Sequence, residues 1–162
     1  MSLPDRRTFL ALLAASPLAA CTFTPAYAPG GPAATLQGAI RVDSPDTKNG
    51  FDLVERLEER LGRPQDARFD LSYTITTKSI GVGVTPENAI TRYNITGQVE
   101  WALKDQTGAA ILTGTAQSFT SWSATGSTVA GLAAEEDASY RLMRILADQI
   151  VTRLLAASGT FL

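Results

Sequence analysis

Reactive side chains are few in this sequence. Its 162 residues include one cysteine, Cys21, and no histidine. The commonest general base is therefore missing, as are the usual ligand sets for zinc, copper or haem. Ser121, Ser123 and Ser127 fall close together, but no imidazole exists to activate a serine. A serine–lysine pair through Lys78 or Lys104 is formally available, and no motif supports it. Glu135, Glu136 and Asp137 are consecutive at what reads as a helix start. They diverge there, whereas a glycosidase pair must face across a cleft. Their place suits the positive end of a helix dipole. They also lack the spacing of calcium loops, which gather six to eight oxygens. Gly81-Val82-Gly83 has neither the third glycine nor the following helix of a dinucleotide fingerprint. These residues predict no enzyme, no cofactor and no metal site.

Cys21 is placed for a different chemistry. Arg6 and Arg7 form a short cationic segment, Phe9 to Ala15 is apolar, and Leu18-Ala19-Ala20 brings small residues up to the thiol. The apolar run is far shorter than the ~20 residues that span a membrane. Charge, apolar run and small residues in this order read as an export signal over residues 1–20. The stretch resembles the lipobox of bacterial lipoproteins. That resemblance implies a diacylglycerol on the Cys21 thiol, cleavage before Cys21, and acylation of the new amino group, with palmitate as a fitting acyl chain. A thiol is a good nucleophile for lipid transfer. Arg6-Arg7-Thr8-Phe9-Leu10 also resembles the core of a twin-arginine signal. An ordinary cationic segment read by the general export route has the same residues, so both routes stay open. Thr22 follows the cysteine, where aspartate in enterobacterial lipoproteins favours the inner membrane. Its absence leans, by analogy, towards the outer membrane.

Residues 21–34 carry Pro25, Pro29, Gly30, Gly31 and Pro32, a composition suited to a flexible tether. Residues 35–158 are long enough for one ordinary domain, and 159–162 form a tail. The chain has 14 basic and 16 acidic residues, and loss of Asp5, Arg6 and Arg7 with the signal moves the net charge from −2 to −3. With no basic excess, nucleic acid is not an expected partner. A lone cysteine committed to lipid leaves none for a disulfide, so the core alone must hold the domain.

Within the domain, hydrophobic period marks the elements. Thr35 to Val42 alternates and reads as a first strand. Asn49 is an N-cap candidate for a helix over Gly50 to Leu61, with Phe51, Val54, Leu57 and Leu61 as its buried stripe and Gly62 as its stop. Arg68 to Thr76 alternates as a strand. The phase then slips by one at Ile80, Val82 and Val84, which predicts a bulge near Lys78 and Ser79. Ile90 to Leu103 is the clearest strand, with Tyr93, Ile95, Val99, Trp101 and Leu103 on one face. Lys104 to Gly108 reads as a hairpin loop and Ala109 to Trp122 as a returning strand rich in threonine and serine. Leu132 to Ala157 is a long amphipathic helix, with Asp137–Arg141 and Arg144–Asp148 spaced as ion pairs. The order strand-helix-strand-strand-strand-helix predicts an α+β fold: a four-stranded, mostly antiparallel sheet with two helices packed on one face. The other face, rich in hydroxyls and amides, stays open.

A lipobox, a proline-rich tether and this element order resemble LptE, the lipopolysaccharide-assembly lipoprotein family of the Gram-negative outer membrane. Three stretches carry the likeness further. They are Arg92-Tyr93-Asn94-Ile95-Thr96-Gly97 leading to Trp101-Ala102-Leu103-Lys104-Asp105, the turn through Gly108 into Ala110-Ile111-Leu112, and Ala134-Glu135-Glu136-Asp137 continuing through Arg141, Leu142, Ala147, Ile150 and Leu154. The resemblance implies a plug and assembly partner for the large β-barrel LptD, which also binds lipopolysaccharide in transit, with no catalytic step and no cofactor. A polar sheet face suits a polar barrel lumen. Cations suit phosphorylated headgroups, and Lys78, Arg92 and Lys104 are the candidates. The alternative is another lipid-anchored periplasmic binding module serving an envelope transport complex. Trp101 alternates with core residues, whereas Trp122 fits either a core or an interface.

Overall fold

A computed structural model of the chain describes residues 28–124 and 127–161. Residues 1–20 and Cys21 lie outside the described residues. The elements run α1 (Pro32–Leu36), β1 (Ile40–Val42), α2 (Lys48–Leu61), β2 (Phe69–Val84), β3 (Ile90–Lys104), β4 (Ala110–Ser123) and α3 (Thr128–Ala157), ending in a 3-10 turn at Ser158–Thr160. The sheet order is β1-β2-β3-β4. β1 pairs with β2 in parallel, and the other two pairings are antiparallel. This is the α+β arrangement expected, with both long helices on one face of the sheet.

Period and sheet register explain the core. Leu71, Leu103 and Leu112 form one row across β2, β3 and β4, and Ile75, Val99 and Ala116 form another. Leu53, Leu57 and Leu61 of α2 and Leu142, Leu146, Ile150 and Leu154 of α3 close over these rows. Gly97 marks where α3 crosses the sheet: a Cβ there would sit 2.9 Å from Leu142 Cδ2 and 3.0 Å from Leu146 Cδ1. Trp101 is buried, as its alternation predicts. Its ring leaves no room for a side chain at the facing residue, Gly114, whose Cβ would lie 2.6 Å from Trp101 Cζ2. Trp122 is buried too, stacked on Tyr93 with ring centroids 5.1 Å apart.

Several local expectations are corrected. Thr35 and Leu36 belong to α1 rather than to a strand, and β1 keeps only Ile40–Val42. Leu36 and Ile40, both buried, are spaced i,i+4 as well as on one parity, so alternation alone could not separate helix from strand. The positive φ of Gly38, 69°, lets the chain turn between the two elements. α2 begins at Lys48, capped by Thr47, whose hydroxyl accepts from the Gly50 N–H at 3.1 Å. Asn49 is therefore inside the helix. Its buried stripe runs through Gly50, Leu53, Val54, Leu57 and Leu61, and Phe51 is 60% exposed. α3 starts at Thr128, with Ser127 capping through the Ala130 N–H. Val129 in its first turn faces solvent, so no apolar period announced the turn before Leu132. The pair Arg144–Asp148 does not form. Arg144 meets Glu59 at 3.4 Å, while Asp148 accepts from Arg56 Nε and Nη2 at 3.0 Å each and from Arg60 Nη1 at 2.6 Å.

The largest correction concerns β2. The register with β3 runs unbroken from Asp70 through Gly81, and the shifts lie between Gly81 and Gly83 and between Gly83 and Val84. No bulge sits at Lys78 and Ser79 to return the following apolar residues to the core. Ile80 therefore stays on the face opposite the helices.

Candidate functional site

The face opposite the helices is assembled from the even residues of β2 and β3 and the odd residues of β4, as the pairings Thr76↔Gln98↔Gln117, Lys78↔Thr96↔Phe119 and Ile80↔Asn94↔Ser121 require. Its middle is an amide ladder. Gln117 Nε2 donates to Gln98 Oε1 at 2.7 Å, and Gln98 Nε2 donates to Glu100 Oε1 at 3.0 Å. Next to it lies a shallow groove of about 460 Å³ lined by Thr76, Lys78, Thr96, Gln98, Gln117 and Phe119, among others. Phe119 is 64% exposed and Ile80 45% exposed. Beyond them the β2–β3 tip exposes Val82, Val84 and Ile90. Exposed apolar side chains grouped this way on a polar rim mark a contact surface for a partner or ligand.

Lys78, Arg92 and Lys104 all lie on this face, but they are not one cluster. Lys78 pairs with Thr96, four residues from Arg92 along β3, or ~14 Å at the rise of an extended strand. Both are exposed. Lys104 is twelve residues from Arg92 on the same strand, ~40 Å away at the far end of the sheet. There it pairs in register with Asp70, whose carboxylate meets Arg41 Nε at 2.7 Å. Among the described residues, Lys78, Arg92 and Lys104 have no ion-pair partner. The geometry thus sets Lys78 in the groove with Phe119, Arg92 farther along β3 past the Asn94 that pairs with Ile80, and Lys104 at the other end of the sheet. Sequence reading missed Phe119. Its parity, opposite to that of the buried Thr120 and Trp122, was the available signal.

The other chemistry-bearing residues have structural work. Ser127 caps α3. Glu136 meets Lys48 at 3.2 Å, and Asp137 meets Arg141 at 2.8 Å. Asp105 Oδ1 accepts from the Thr107 N–H and hydroxyl and from the Ala109 N–H, and holds the β3–β4 turn. The Thr107 hydroxyl above all, with those backbone N–H groups, keeps the Asp105 carboxyl below its ordinary value. Among the described residues no group of acidic, histidine or cysteine side chains could hold a metal ion. No described helix is long and apolar enough to cross a membrane.

A family model described as LptE, lipopolysaccharide-assembly, matches residues 38–154. The chain belongs to this family. The match begins two residues before β1 and ends within the last turn of α3, so it covers both the sheet and the helices that pack on it. LptE proteins are lipoproteins that take part in lipopolysaccharide assembly without an enzymatic step. No curated protein matches the sequence. Solved structures with the same fold include a chain from Caulobacter crescentus CB15 described as a lipoprotein, 22% identical, covering 80% of this chain and 96% of that one at a TM-score of 0.65. Rare lipoprotein B from Shewanella oneidensis is 14% identical, with coverages of 75% and 96% and a TM-score of 0.59. A minor lipoprotein from Acinetobacter baumannii is 16% identical, with coverages of 74% and 90% and a TM-score of 0.51. At these identities the likeness is one of fold.

Proposed function

We propose that this LptE-family chain is a lipid-anchored plug and assembly partner of an LptD-class β-barrel, and that it binds lipopolysaccharide passing to the outer membrane. The observation that carries the reading is the open sheet face, polar along its middle and both cationic and apolar at its hairpin end. A barrel lumen is polar, and the hydroxyls and amides between Thr74 and Gln117 suit such a surroundings. Lipopolysaccharide offers phosphates and acyl chains together. Lys78 and Arg92 match the phosphates by charge-assisted hydrogen bonding, and Ile80 and Phe119 match the chains by burial. Lys104, at the other end, would meet a separate part of the ligand or the barrel.

Anchoring follows from the lipobox. Diacylglycerol on Cys21 would hold the domain at the outer membrane, facing the periplasm or within the lumen. Two acyl-type signals together give stable attachment where one is marginal.

Affinity purification of the tagged, membrane-extracted protein tests the reading. Stoichiometric recovery of an LptD-class barrel is expected. A clean preparation without it, from cells shown to make one, would favour a lipid-anchored module serving another envelope complex. Cys21→Ala should abolish lipid labelling, and normal labelling of that variant would remove the anchor from the proposal.

A further inference from the structure

The two long edges of the sheet are treated differently. Along β4, outward backbone groups are taken by side chains of α3. Gln149 donates to the Gln117 carbonyl at 3.1 Å and accepts from its N–H at 3.3 Å, Arg141 donates to the Ser121 carbonyl at 3.5 Å, and Arg153 donates to the Thr115 carbonyl. An edge covered in this way cannot template another strand.

β2 has no such cover. β1 pairs with it only from Phe69 to Leu71, and β2 continues to Val84. The direction of its backbone groups is set by two contacts. The Leu71 carbonyl points outward, since it accepts from the Asp43 N–H at 3.0 Å. The Lys78 carbonyl points towards β3, since it accepts from the Thr96 hydroxyl at 3.1 Å. Odd residues therefore present their N–H and C=O at the edge, and no described residue hydrogen-bonds to those of Ile75, Thr77 or Ser79.

We propose that this edge receives an extended segment of the barrel partner, which adds as a strand beside Ile75, Thr77 and Ser79. The inference rests on the plug reading above. Main-chain groups repeating every second residue are matched by another extended backbone, at the ~4.8 Å spacing of a sheet. A closed barrel has no free strand edge of its own, so the segment comes from one of its loops. Charge decides against a second copy of this chain. Antiparallel self-pairing about Thr77 would bring two Lys78 side chains onto the same face as diagonal neighbours, and like charges there destabilise. The segment that fits carries no cation on the Lys78 face, which leaves Lys78 to the phosphates. The register shifts at Gly81 and Gly83 end the regular edge, so the added strand is short.

Thr77→Pro tests the proposal. It removes an N–H that points away from β3, so the fold tolerates it as it tolerates proline on an edge strand. Recovery of the barrel should fall at least tenfold. Thr77→Ala keeps the backbone donor and should recover barrel as wild type does. A Thr77→Pro protein that recovers the barrel fully overturns the edge inference alone. Wild type that recovers no barrel overturns the plug reading and this occupant with it. Hydrogen exchange of the unmodified chain gives a second readout that needs no variant. The Thr77 and Ser79 amides should slow at least a hundredfold in the complex, while the Lys78 amide is protected in both states. Unchanged exchange at Thr77 and Ser79 would reject the proposal. A wild-type dimer that Thr77→Pro abolishes would give the edge to a second copy instead and reject the barrel segment.

Discussion

The two ends of the sheet share strands, alternation and residue types, yet one is closed and the other open. At the closed end Leu71 and Leu103 are fully buried under Leu57, Ile150 and Leu154. Arg56 and Arg60 of α2 grip Asp148 of α3 above them, and Phe69 meets Phe161 edge to face at 5.5 Å. At the open end Ile80, Val84, Ile90 and Phe119 are between 41% and 64% exposed. The difference is one of face. Ile80 and Phe119 lie opposite the helices, whereas α3 covers the other face past Gly97, over buried Ile95 and Trp122. Apolar residues on the uncovered side have no core to join, and they remain available for a partner or a lipid.

Leu146→Ala breaks the comparison most severely. It empties a fully buried site where α3 meets Gly97, and a loss of about 2–5 kcal/mol is expected from denaturant unfolding. Gly97→Val acts at the same crossing by overfilling it, at about 1–3 kcal/mol. Rescue of Gly97→Val by Leu142→Ala would show that the crossing distance is the cause. Asp148→Ala removes the clamp at the closed end. Asp148 and Arg60 are about one-third exposed, so solvent screening limits the loss to about 1 kcal/mol. Phe119→Ser with Ile80→Ser at the open end should leave stability within about 0.5 kcal/mol. The same pair of changes should weaken lipopolysaccharide binding several-fold, as charge reversal of Lys78 or Arg92 should. A stability loss at the open end as large as that at Leu146 would dissolve the distinction between the ends.

Acid sharpens the comparison least. Glu59 is held below its ordinary 4.5, chiefly by the hydrogen bond from Arg56, and Asp105 below its ordinary 3.8, chiefly by the Thr107 hydroxyl. A depressed carboxylate adds stability that is complete above the unfolded value and is lost as pH falls through the folded one. Melting temperature should therefore drop below about pH 4.5, and Asp105→Asn should flatten part of that slope. Glu59 is exposed and Asp105 only partly buried, so the effect is small.

Much of the fold was legible because period is a local property. The 15-residue β3 announced its buried and open faces by alternation alone. The stripe from Leu142 to Leu154 announced α3 in the same way, and Asp105 and Gly108 announced the turn between β3 and β4. Element ends were harder to read. The first turn of α3 faces solvent and carries no pattern, and α1 shares its spacing with a strand. The candidate site was half legible. Parity placed Lys78, Arg92 and Lys104 on one face, but no local rule sets Lys78 in the groove with Phe119 and Lys104 at the other end of the sheet.

Alternation decided by itself which residues of each strand share a face, and the lone Cys21 with its flanks marked a lipid anchor for experiment to test. Tertiary structure alone decided where the core stops. The slip at Ile80 looked like a bulge waiting to return apolar side chains to the interior. The strand runs straight through instead, so Ile80 stays on the face that α3 never touches, although α3 covers the other face past Gly97 as far as Thr120 and Ser121. Burial depends on what arrives from elsewhere in the chain, and a strand's own period carries no record of the side on which it arrives.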